Sequence, residues 1–385
     1  MRRLPPYMFA RIDEAKARAV AKGLDVISMG VGDPDRDPPV WIRQLLCEEV
    51  MRSGNHRYPS YRGHPRLAEA VLRFLERRFG VTSLGPQHVA TTIGSKEALA
   101  KSVTALVNPG DVVLMPDPNY PVFGTLSGLI GAEVRFLPLT PANGFEPDPV
   151  QELGEKALRR VGVMYVNYPH NPTGKLASRR YLARLVQDAA QYDFSLVADA
   201  AYTELYLDNE PAASCLEFDG ALEHVIELHS FSKSFNMTGW RCGFAVGNAE
   251  LLAGLVEVKS HTDSGCYDAI QIAMARALDD SRCDGFLAEQ RALYRARAKL
   301  VTTSLEGLGL SCHHPGGSIF VWCELPMGER DSFDWCERLL SETGLVVSPG
   351  AGFGSTGEGF FRLSLTTPDE TIEDAMQRLE EFMQG

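Results

Sequence analysis

The sequence predicts an α/β protein in which a large domain, with a mostly parallel seven-stranded sheet between helices, is followed by a smaller α+β C-terminal domain. Short apolar segments alternate with helix-length segments through the middle of the chain, which is typical of parallel strands joined by helices. After about residue 280 this alternation ends, and a long helical stretch leads into a β-rich tail. Polar residues also follow several of the apolar segments, at the strand ends where such sheets bind ligands.

The predicted strands of the large domain are nearly continuous in apolar residues, as expected where both faces of a sheet are covered. They lie at residues 88–92, 111–114, 133–137, 162–166, 194–198, 225–228 and 242–246. Helices are predicted between several of them, at residues 96–107, 122–130, 178–191 and 250–259.

The smaller domain has a different order of elements. A helix is predicted at 286–305, strands at 318–323, 345–348 and 360–365, and a final helix at 368–383. A charged amphipathic helix is predicted near the start, at 11–23. We divide the chain into an N-terminal arm with part of the small domain (residues 1–45), the large domain (46–280) and the small C-terminal domain (281–385).

The amino-acid composition argues against nucleic-acid and membrane partners. The 385 residues are 44% hydrophobic, and 38 basic against 50 acidic residues give a net charge of −12, which argues against a nucleic-acid partner. No apolar segment approaches the roughly 18 residues of a membrane span. The start of the chain has no apolar signal core, so we expect a cytoplasmic protein without membrane contact.

The eight cysteines are scattered, and none forms a C-x-x-C pair. In a chain of this length they are expected to be reduced packing residues. Cys312-His313-His314 lacks further ligands at metal-binding spacing, and we predict no metal site.

Lys233 is the most informative residue. It follows the apolar strand at 225–228, and a lysine that loses water there loses part of its preference for the charged form. A neutral amine can form a Schiff base with an aldehyde. Ser230, Ser232 and Arg241 lie close by in sequence and suit phosphate oxygens. The alternative is a solvated surface lysine in a serine-rich loop.

Two further strand ends carry polar groups. Asn171 precedes Pro172 and Gly174, which predict a sharp turn that presents its side chain, although ordinary turn chemistry explains the same pattern. Asp199 ends another apolar strand, where a carboxylate could hold a proton on a ring nitrogen. The alternative for Asp199 is a helix N-cap.

Four other residues have a binding interpretation and a simpler one. Ser95 and Lys96 follow Gly94 at a strand-to-helix turn, which suits an anion or a plain helix cap. Tyr120 could stack on a flat ring or pack in the core. Arg362 lies in an alternating strand, where an inward arginine needs a carboxylate and an outward one is solvated.

One glycine-rich segment resembles a cofactor-binding motif but does not complete it. Residues 350–354 resemble a dinucleotide-binding loop, but Ser355 breaks the full motif. The segment also lies outside any predicted βαβ unit, so we do not assign nicotinamide binding.

Taken together, these motifs resemble the class I/II aminotransferases, which are fold-type I enzymes that use pyridoxal 5′-phosphate (PLP). The resemblance covers nearly the whole chain and depends on the order and spacing of its motifs. The matching segments are Gly32-Asp33-Pro34-Asp35, Tyr58-x4-Gly63, Gly94-Ser95-Lys96, Asn171-Pro172-Thr173-Gly174, Asp199-x2-Tyr202, Ser230-x-Ser232-Lys233 with Arg241, and Arg362.

The resemblance implies roles around the cofactor. Lys233 would carry the cofactor and then move the proton, Asp199 would pair with the ring nitrogen, and Tyr202 and Asn171 would bind its phenolic oxygen. Tyr120 would stack on the ring. The implied phosphate ligands are Ser95, Lys96, Ser230, Ser232 and Arg241.

The resemblance also implies substrate and subunit contacts. Arg362 would bind the α-carboxylate of the amino acid, together with Asn171 and the backbone at Gly32. Tyr58 would reach the phosphate of a neighbouring subunit, which implies a homodimer with shared active sites. The reaction implied is a ping-pong transfer of an amino group between an amino acid and a 2-oxo acid.

Within the family, the chain looks most like the LL-diaminopimelate aminotransferase branch, with 2-oxoglutarate as the expected acceptor. Supporting segments include 58–63, 93–98 and 236–241. His170 and the stretch Cys266-Tyr267-Asp268 depart from the pattern of that branch. Aspartate or alanine transfer, a PLP-dependent β-lyase and a non-enzymatic regulator remain alternatives, and the sequence does not indicate which residues bind the far end of the substrate.

Overall fold

The computed structural model describes residues 8–384. The first seven residues, part of the predicted N-terminal arm and of the start in which we expect no signal core, lie outside the described residues. Among the described residues, no helix is both long enough and apolar enough to cross a membrane.

The described residues form thirteen strands and fifteen α-helices, joined by loops and short 3₁₀ turns. The strands are β1 (Ile27–Ser28), β2 (Val89–Thr92), β3 (Val112–Asp117), β4 (Glu133–Pro138), β5 (Val161–Asn167), β6 (Ser195–Asp199), β7 (Val225–Ser230), β8 (Gly243–Gly247), β9 (Cys312–His313), β10 (Phe320–Glu324), β11 (Leu345–Val346), β12 (Ser348–Pro349) and β13 (Phe360–Ser364). The helices are α1 (Met8–Ala21), α2 (Val40–Val50), α3 (Pro65–Phe79), α4 (Ser95–Leu106), α5 (Val122–Ile130), α6 (Pro149–Leu153), α7 (Glu155–Leu158), α8 (Arg179–Tyr192), α9 (Ala221–His224), α10 (Phe231–Ser234), α11 (Ala249–Thr262), α12 (Asp268–Asp279), α13 (Cys283–Gly307), α14 (Ser332–Thr343) and α15 (Asp369–Gln384).

The large sheet confirms the predicted fold class. Its seven strands run in the order β2-β8-β7-β6-β5-β3-β4, and each corresponds to one of the predicted strands. Every neighbouring pair is parallel except those of β8, which is antiparallel to both β2 and β7. Strand β8 therefore begins at the edge of the sheet where β7 ends.

The apolar strands fold this way because both faces of the sheet are covered. Along β5, Met164 and Val166 pack into the apolar core on one face, and Val163 and Tyr165 pack into the core on the other. Burying one such side chain stabilises the fold by about 1.5–3 kcal/mol. Strand β5 therefore lacks the alternation of apolar and polar residues that is typical of a strand with one face in solvent.

Four longer helices were not assigned from sequence: α2, α3, α12 and α14. Helix α12 is buried on most sides, so its sequence has no wide polar face to reveal a helical period. Helix α3 has clear termini, because the His64 ring accepts the Arg66 N–H at 3.2 Å and Gly80 ends the helix in the left-handed region. Both end signals are present in the sequence, so α3 could have been predicted.

The C-terminal region forms an antiparallel sheet in the order β12-β13-β10-β9. The single strand predicted at 345–348 is wrong in detail, because the structure divides it into β11 and β12. Strand β11 pairs instead with β1, with Ile27 opposite Leu345. The N-terminal segment thus packs with the C-terminal region, while the domain boundaries at residues 45 and 280 stay a prediction.

A buried arginine fixes the segment that follows β1. Arg297 on α13 is 2% exposed and forms a two-pronged ion pair with Asp35, at 2.7 and 2.8 Å. Its Nε also donates to Asp369 at 2.7 Å, and Nη1 donates to the Leu365 carbonyl at 2.9 Å. Planar guanidinium groups bind carboxylates most strongly in this geometry. The segment around Asp35 is therefore attached to both α13 and the start of α15.

We expect Arg297→Ala to lower the free energy of unfolding by about 3–5 kcal/mol, because the substitution leaves the partly buried Asp35 carboxylate without its partner. Urea denaturation followed by circular dichroism measures this loss. The matched control is Arg73→Ala, which removes a two-pronged pair with Asp279 from an exposed position and should cost about 0–1 kcal/mol. Equal losses in the two variants would contradict the prediction.

Candidate active site

A cavity of about 410 Å³ lies where the large sheet meets the C-terminal region. Because β5, β6 and β7 are parallel, their carboxyl ends open at the same edge of the sheet. The cavity is lined by residues from both parts of the chain: Asp13, Val31, Gly32, Ser95, Lys96, Tyr120, Asn171, Asp199, Ala201, Tyr202, Ser230, Ser232, Lys233, Thr238, Arg241, Phe320 and Arg362.

Lys233 lies on α10, directly after β7. Its Nζ donates a hydrogen bond to the Gly32 carbonyl, from the N-terminal segment. The pKa of Lys233 is lowered to about 8, mainly because burial disfavours the charged form; the Asp33 charge opposes this shift, and the charges of Arg241 and Arg362 add to it. The solvated-lysine alternative is therefore wrong, and the neutral amine is easier to form than in an exposed lysine.

Asp199 is the last residue of β6 and is buried. Burial raises the pKa of Asp199 to about 6, although hydrogen bonds from the Ala201 N–H and the Tyr165 hydroxyl, each at 3.3 Å, favour the charged form. No helix begins at this position, so the N-cap alternative is also wrong. A cationic group bound in the cavity beside this desolvated carboxylate would stabilise its charged form.

A second buried group of polar residues lies near Asp199 and was not predicted. The His229 ring stacks on Phe244 with centroids 4.6 Å apart, and its Nε2 is 2.9 Å from a Glu227 oxygen. Glu227 also accepts the Ser214 hydroxyl at 2.8 Å and the Cys215 N–H at 2.6 Å. The charge of protonated His229 would favour the carboxylate form of Asp199 and so lower its pKa.

An anion-binding corner is formed at the start of α4. Gly94 precedes the helix at φ 99°, and no side chain caps the first N–H groups. A Cβ at Gly94 would lie 2.6 Å from Arg241 Nη2, so glycine is required for this close approach. Ser95 and Lys96 open the helix, and uncapped N–H groups at a helix N-terminus favour an anion.

Arg241 lies on the other side of this corner because antiparallel β8 begins beside the end of β7. Its Nη2 donates to the Ile93 carbonyl at 2.8 Å, and Nη1 donates to the Thr238 carbonyl at 2.7 Å. Nη1 is also 3.5 Å from the Ser232 hydroxyl oxygen. These bonds fix the guanidinium plane beside the serine hydroxyls.

Arg362 forms a second cationic position in the cavity. It is 1% exposed, and its guanidinium lies 3.9 Å from the Phe320 ring centroid and 4.6 Å from that of Phe353. Nη1 donates to Asn171 Oδ1 at 2.7 Å, and Nη2 donates to the Gly30 carbonyl at 2.5 Å. The aromatic contacts and hydrogen bonds hold a planar fork suited to a carboxylate. The solvated-edge alternative for Arg362 is wrong.

The structure brings all but one of the predicted site residues into one cavity. Tyr202 packs edge-on against Phe320 with ring centroids 5.8 Å apart, and burial raises the pKa of its hydroxyl. Tyr120 and Asn171 line the same space. Tyr58 does not line it and is 88% exposed.

Five lining residues were missed from sequence. Thr238 and Phe320 fall within segments that were already singled out, so the Thr-Gly-Trp-Arg motif and the predicted strand at 318–323 could have indicated them. Asp13, Val31 and Ala201 have no comparable signal, because only the packing of α1 and of the chain around Gly32 brings them here.

The residues that depart from the branch pattern have structural contacts. His170 is buried with Nδ1 2.8 Å from the Thr173 hydroxyl, and burial lowers the pKa of His170 to about 3. Cys266 Sγ lies 3.5 Å from the Arg241 carbonyl oxygen, and Asp268 accepts from Gln271 Nε2 at 3.0 Å. These contacts stabilise the turn around Asn171 and the support behind Arg241.

The glycine-rich segment at 350–354 and the segment around Cys312 have structural contacts. Residues 350–353 form a 3₁₀ turn after β12, and Phe353 packs against Arg362. Cys312 and Cys323 face each other across β9 and β10 with sulfur atoms 3.1 Å apart. The described residues contain no group of three or more histidine, cysteine or acidic side chains arranged to hold a metal ion.

The sequence profile of the family described as aminotransferase class I and II matches residues 24–379. The chain therefore belongs to this family and is an enzyme. An LL-diaminopimelate aminotransferase of Nitratidesulfovibrio vulgaris (strain DP4) is 44% identical to it over 378 residues, covering 98% of this chain and 96% of the relative.

Two solved structures share the fold. Substrate-bound BacF from Bacillus subtilis matches with a TM-score of 0.93 at 32% identity, covering 99% of this chain and 95% of that one. A single mutant of aspartate aminotransferase from Thermus thermophilus matches with a TM-score of 0.91 at 29% identity, covering 98% of this chain and 96% of that one. The predicted fold-type I architecture is confirmed, and aminotransferases of this fold depend on PLP.

We expect the Lys233 amine to titrate about two pH units below an ordinary lysine, because burial disfavours its charged form. In the cofactor-free enzyme, acylation of Lys233 followed by peptide mass spectrometry should show a midpoint near pH 8, against about 10.4 for a lysine peptide. Asp33→Asn should move the midpoint lower still, since the Asp33 charge favours the ammonium form. A midpoint near that of the peptide would contradict the prediction.

Proposed function

We propose that this enzyme is a PLP-dependent aminotransferase that moves an amino group from LL-diaminopimelate to 2-oxoglutarate by a ping-pong mechanism. One observation carries the proposal: a lysine of lowered pKa, a buried aspartate, an anion-binding corner and a carboxylate-binding arginine line a single cavity. The substrate is inferred from relatives, since the LL-diaminopimelate aminotransferases of Nitratidesulfovibrio vulgaris and Maridesulfovibrio salexigens are 44% and 43% identical to the chain.

The donor set fits the proposed cofactor group by group. A phosphate suits the corner formed by the start of α4 and Arg241, and a protonated ring nitrogen suits Asp199. Tyr202 and Asn171 offer a hydroxyl and an amide to the phenolic oxygen, and Tyr120 offers a ring face. The proposed phosphate ligands are Ser95, Lys96, Ser230, Ser232 and Arg241.

The cofactor, when bound, supplies an aldehyde that takes up the amino group and a ring that accepts electrons from the substrate's α-carbon. Lys233 is the proposed base, because a buried amine with a pKa of about 8 can remove a proton near neutral pH. Asp199 holds the proton on the ring nitrogen. Its desolvated carboxylate is stabilised by that positive charge.

Arg362 orients the amino acid. Its guanidinium is held beside the Phe320 and Phe353 rings and would bind the α-carboxylate. The Gly32 carbonyl, which accepts a hydrogen bond from Lys233, lies close to the proposed base. This contact fixes the α-carbon relative to Lys233 and so lowers the entropic cost of proton transfer. The same groups serve the 2-oxo acid in the second half-reaction, which is why a single site supports ping-pong transfer.

We also propose that the enzyme is a cytoplasmic homodimer whose active sites are shared. Tyr58 is 88% exposed and Tyr61 46% exposed, an unusual state for two neighbouring aromatic rings. A Cβ added at Gly265 would lie 3.1 Å from Pro59 and 3.2 Å from the Ser60 carbonyl oxygen, so this aromatic segment lies close to the stretch containing Cys266 behind Arg241. A second subunit that covers this segment would place Tyr58 at the partner's phosphate position.

The first test is a half-reaction screen. Purified enzyme loaded with PLP is mixed with LL-diaminopimelate, glutamate, aspartate or alanine, and conversion of the aldehyde form of the cofactor to the amine form is followed by absorbance. We expect LL-diaminopimelate and glutamate to react fastest. Lys233→Ala should slow conversion by at least about a thousandfold, since it removes the proposed base.

Each other result has a defined meaning. Fastest conversion by aspartate or alanine would reject the proposed donor and retain amino transfer. Release of pyruvate and ammonia without a 2-oxo acid acceptor would favour a β-lyase. If no amino acid converts the cofactor, the proposed function is wrong.

Sharing of active sites is tested by mixing two defective subunits. Lys233→Ala and Tyr58→Phe subunits should each have low activity alone. Their hybrid should regain activity, because one of its two sites then combines an intact Lys233 with an intact Tyr58. Co-expression with two affinity tags and tandem purification isolates the hybrid, and a Lys233→Ala subunit paired with itself is the control. A hybrid that stays inactive would exclude a shared site.

A further inference from the structure

The cavity has one carboxylate that the proposed reaction does not use. The charged side chains that line it are those of Lys96, Arg241, Lys233, Arg362, Asp199 and Asp13. Five of the six already have a task in transfer. Asp13 lies on α1, far from the others in sequence, and its position in the cavity comes from tertiary packing.

Helix α1 is anchored near Arg362 on its other faces. Ile12 is buried in an apolar cluster that includes Trp322 and Phe353, and Phe353 is one of the rings beside the Arg362 guanidinium. Arg11 lies 4.5 Å from the Phe333 ring centroid, on α14. The residue after the Ile12 anchor is therefore held at the cavity wall.

The Asp13 carboxylate itself is available. It is exposed, and among the described residues no hydrogen bond or ion pair uses it. The next residue, Glu14, is also exposed but does not line the cavity. The two neighbouring acids thus differ in position while sharing the same helix and charge.

The charge balance of the loaded site shows what Asp13 would bind. The phosphate matches Lys96 and Arg241, the ring nitrogen matches Asp199, and the α-carboxylate matches Arg362. Lys233 acts as a neutral amine. The negative charge of Asp13 at the cavity wall then remains, and it attracts a cationic group at the far end of a donor.

We propose that Asp13 is a specificity-determining residue that binds the distal ammonium group of the amino donor. The proposal deepens the proposed function and rests on it. It assigns an amino-donor class, L-amino acids with an ammonium group at the far end of the side chain. LL-diaminopimelate belongs to this class.

The experiment uses donors that differ only in the distal ammonium. L-2-aminopimelate is LL-diaminopimelate without it, and L-norleucine is L-lysine without its ε-ammonium group. For the wild-type enzyme, kcat/KM should be higher for the ammonium-bearing donor of a pair. In Asp13→Asn that preference should fall about tenfold, as expected for loss of one hydrogen-bonded charge pair at a partly exposed site.

The control variant is Glu14→Gln, which removes a neighbouring charge and should leave the preference unchanged. A second readout avoids turnover: in the Lys233→Ala background, isothermal titration calorimetry should show the same loss of preference in Kd when Asp13→Asn is added. If Asp13→Asn acts only through the lost charge, its rate with L-2-aminopimelate or L-norleucine should stay close to wild type. Damage to α1 would instead lower the rate with every donor.

Three outcomes would overturn the inference. They are a wild-type enzyme with no preference within either pair, an Asp13→Asn variant with unchanged preference, and an equal loss for both donors of a pair. Failure of the proposed function looks different, because then no amino acid converts the cofactor at all. If LL-diaminopimelate is not the donor, the lysine and norleucine pair still decides the role of Asp13.

Discussion

Burial of the Lys233 amine is the constraint on which the rest of the site depends. An ammonium group loses hydration at the end of β7, so its pKa falls to about 8 and the neutral form becomes accessible. The Gly32 carbonyl accepts its hydrogen bond, from a segment more than two hundred residues away in sequence. The large sheet alone would leave this end of β7 open, and the N-terminal segment is needed to cover it.

Two buried arginines connect that segment to the C-terminal region. Arg362 donates to the Gly30 carbonyl, and Arg297 pairs with Asp35. Both cations are nearly inaccessible, and each forms several hydrogen bonds, which offset part of the cost of burying its charge. Residues 30–35 are therefore fixed between them, and the proposed carboxylate-binding group and the cover over Lys233 belong to one connected set of contacts.

The charges of the cavity are unevenly distributed in a way that suits the family's chemistry. Cationic groups lie at the anion-binding corner and at Arg362, whereas the buried Asp199 lies at the end of β6. The same charges that attract phosphate and carboxylate would repel a cationic side chain, which is why we propose that the Asp13 carboxylate binds the distal ammonium of a donor. The motifs of the family thus lie at the ends of the sheet strands, and in our proposal the choice of substrate depends on elements packed over them.

Local sequence determined the large sheet and most of the site. Each strand of that sheet is a short apolar segment, and the motifs around Ser95, Asn171, Asp199 and Lys233 follow strand ends, which parallel pairing must bring together. Buried helices such as α12 were missed because a helix without a polar face has no clear period. The division of 345–348 into β11 and β12 was missed because the partners of those residues, β1 and β13, are distant in the chain. Only the tertiary structure decided that Lys233 and Arg362 are desolvated, that Arg297 pairs with Asp35 and that Asp13 lines the cavity. Solvation and ion pairing depend on which distant elements pack together, and local sequence does not specify that packing.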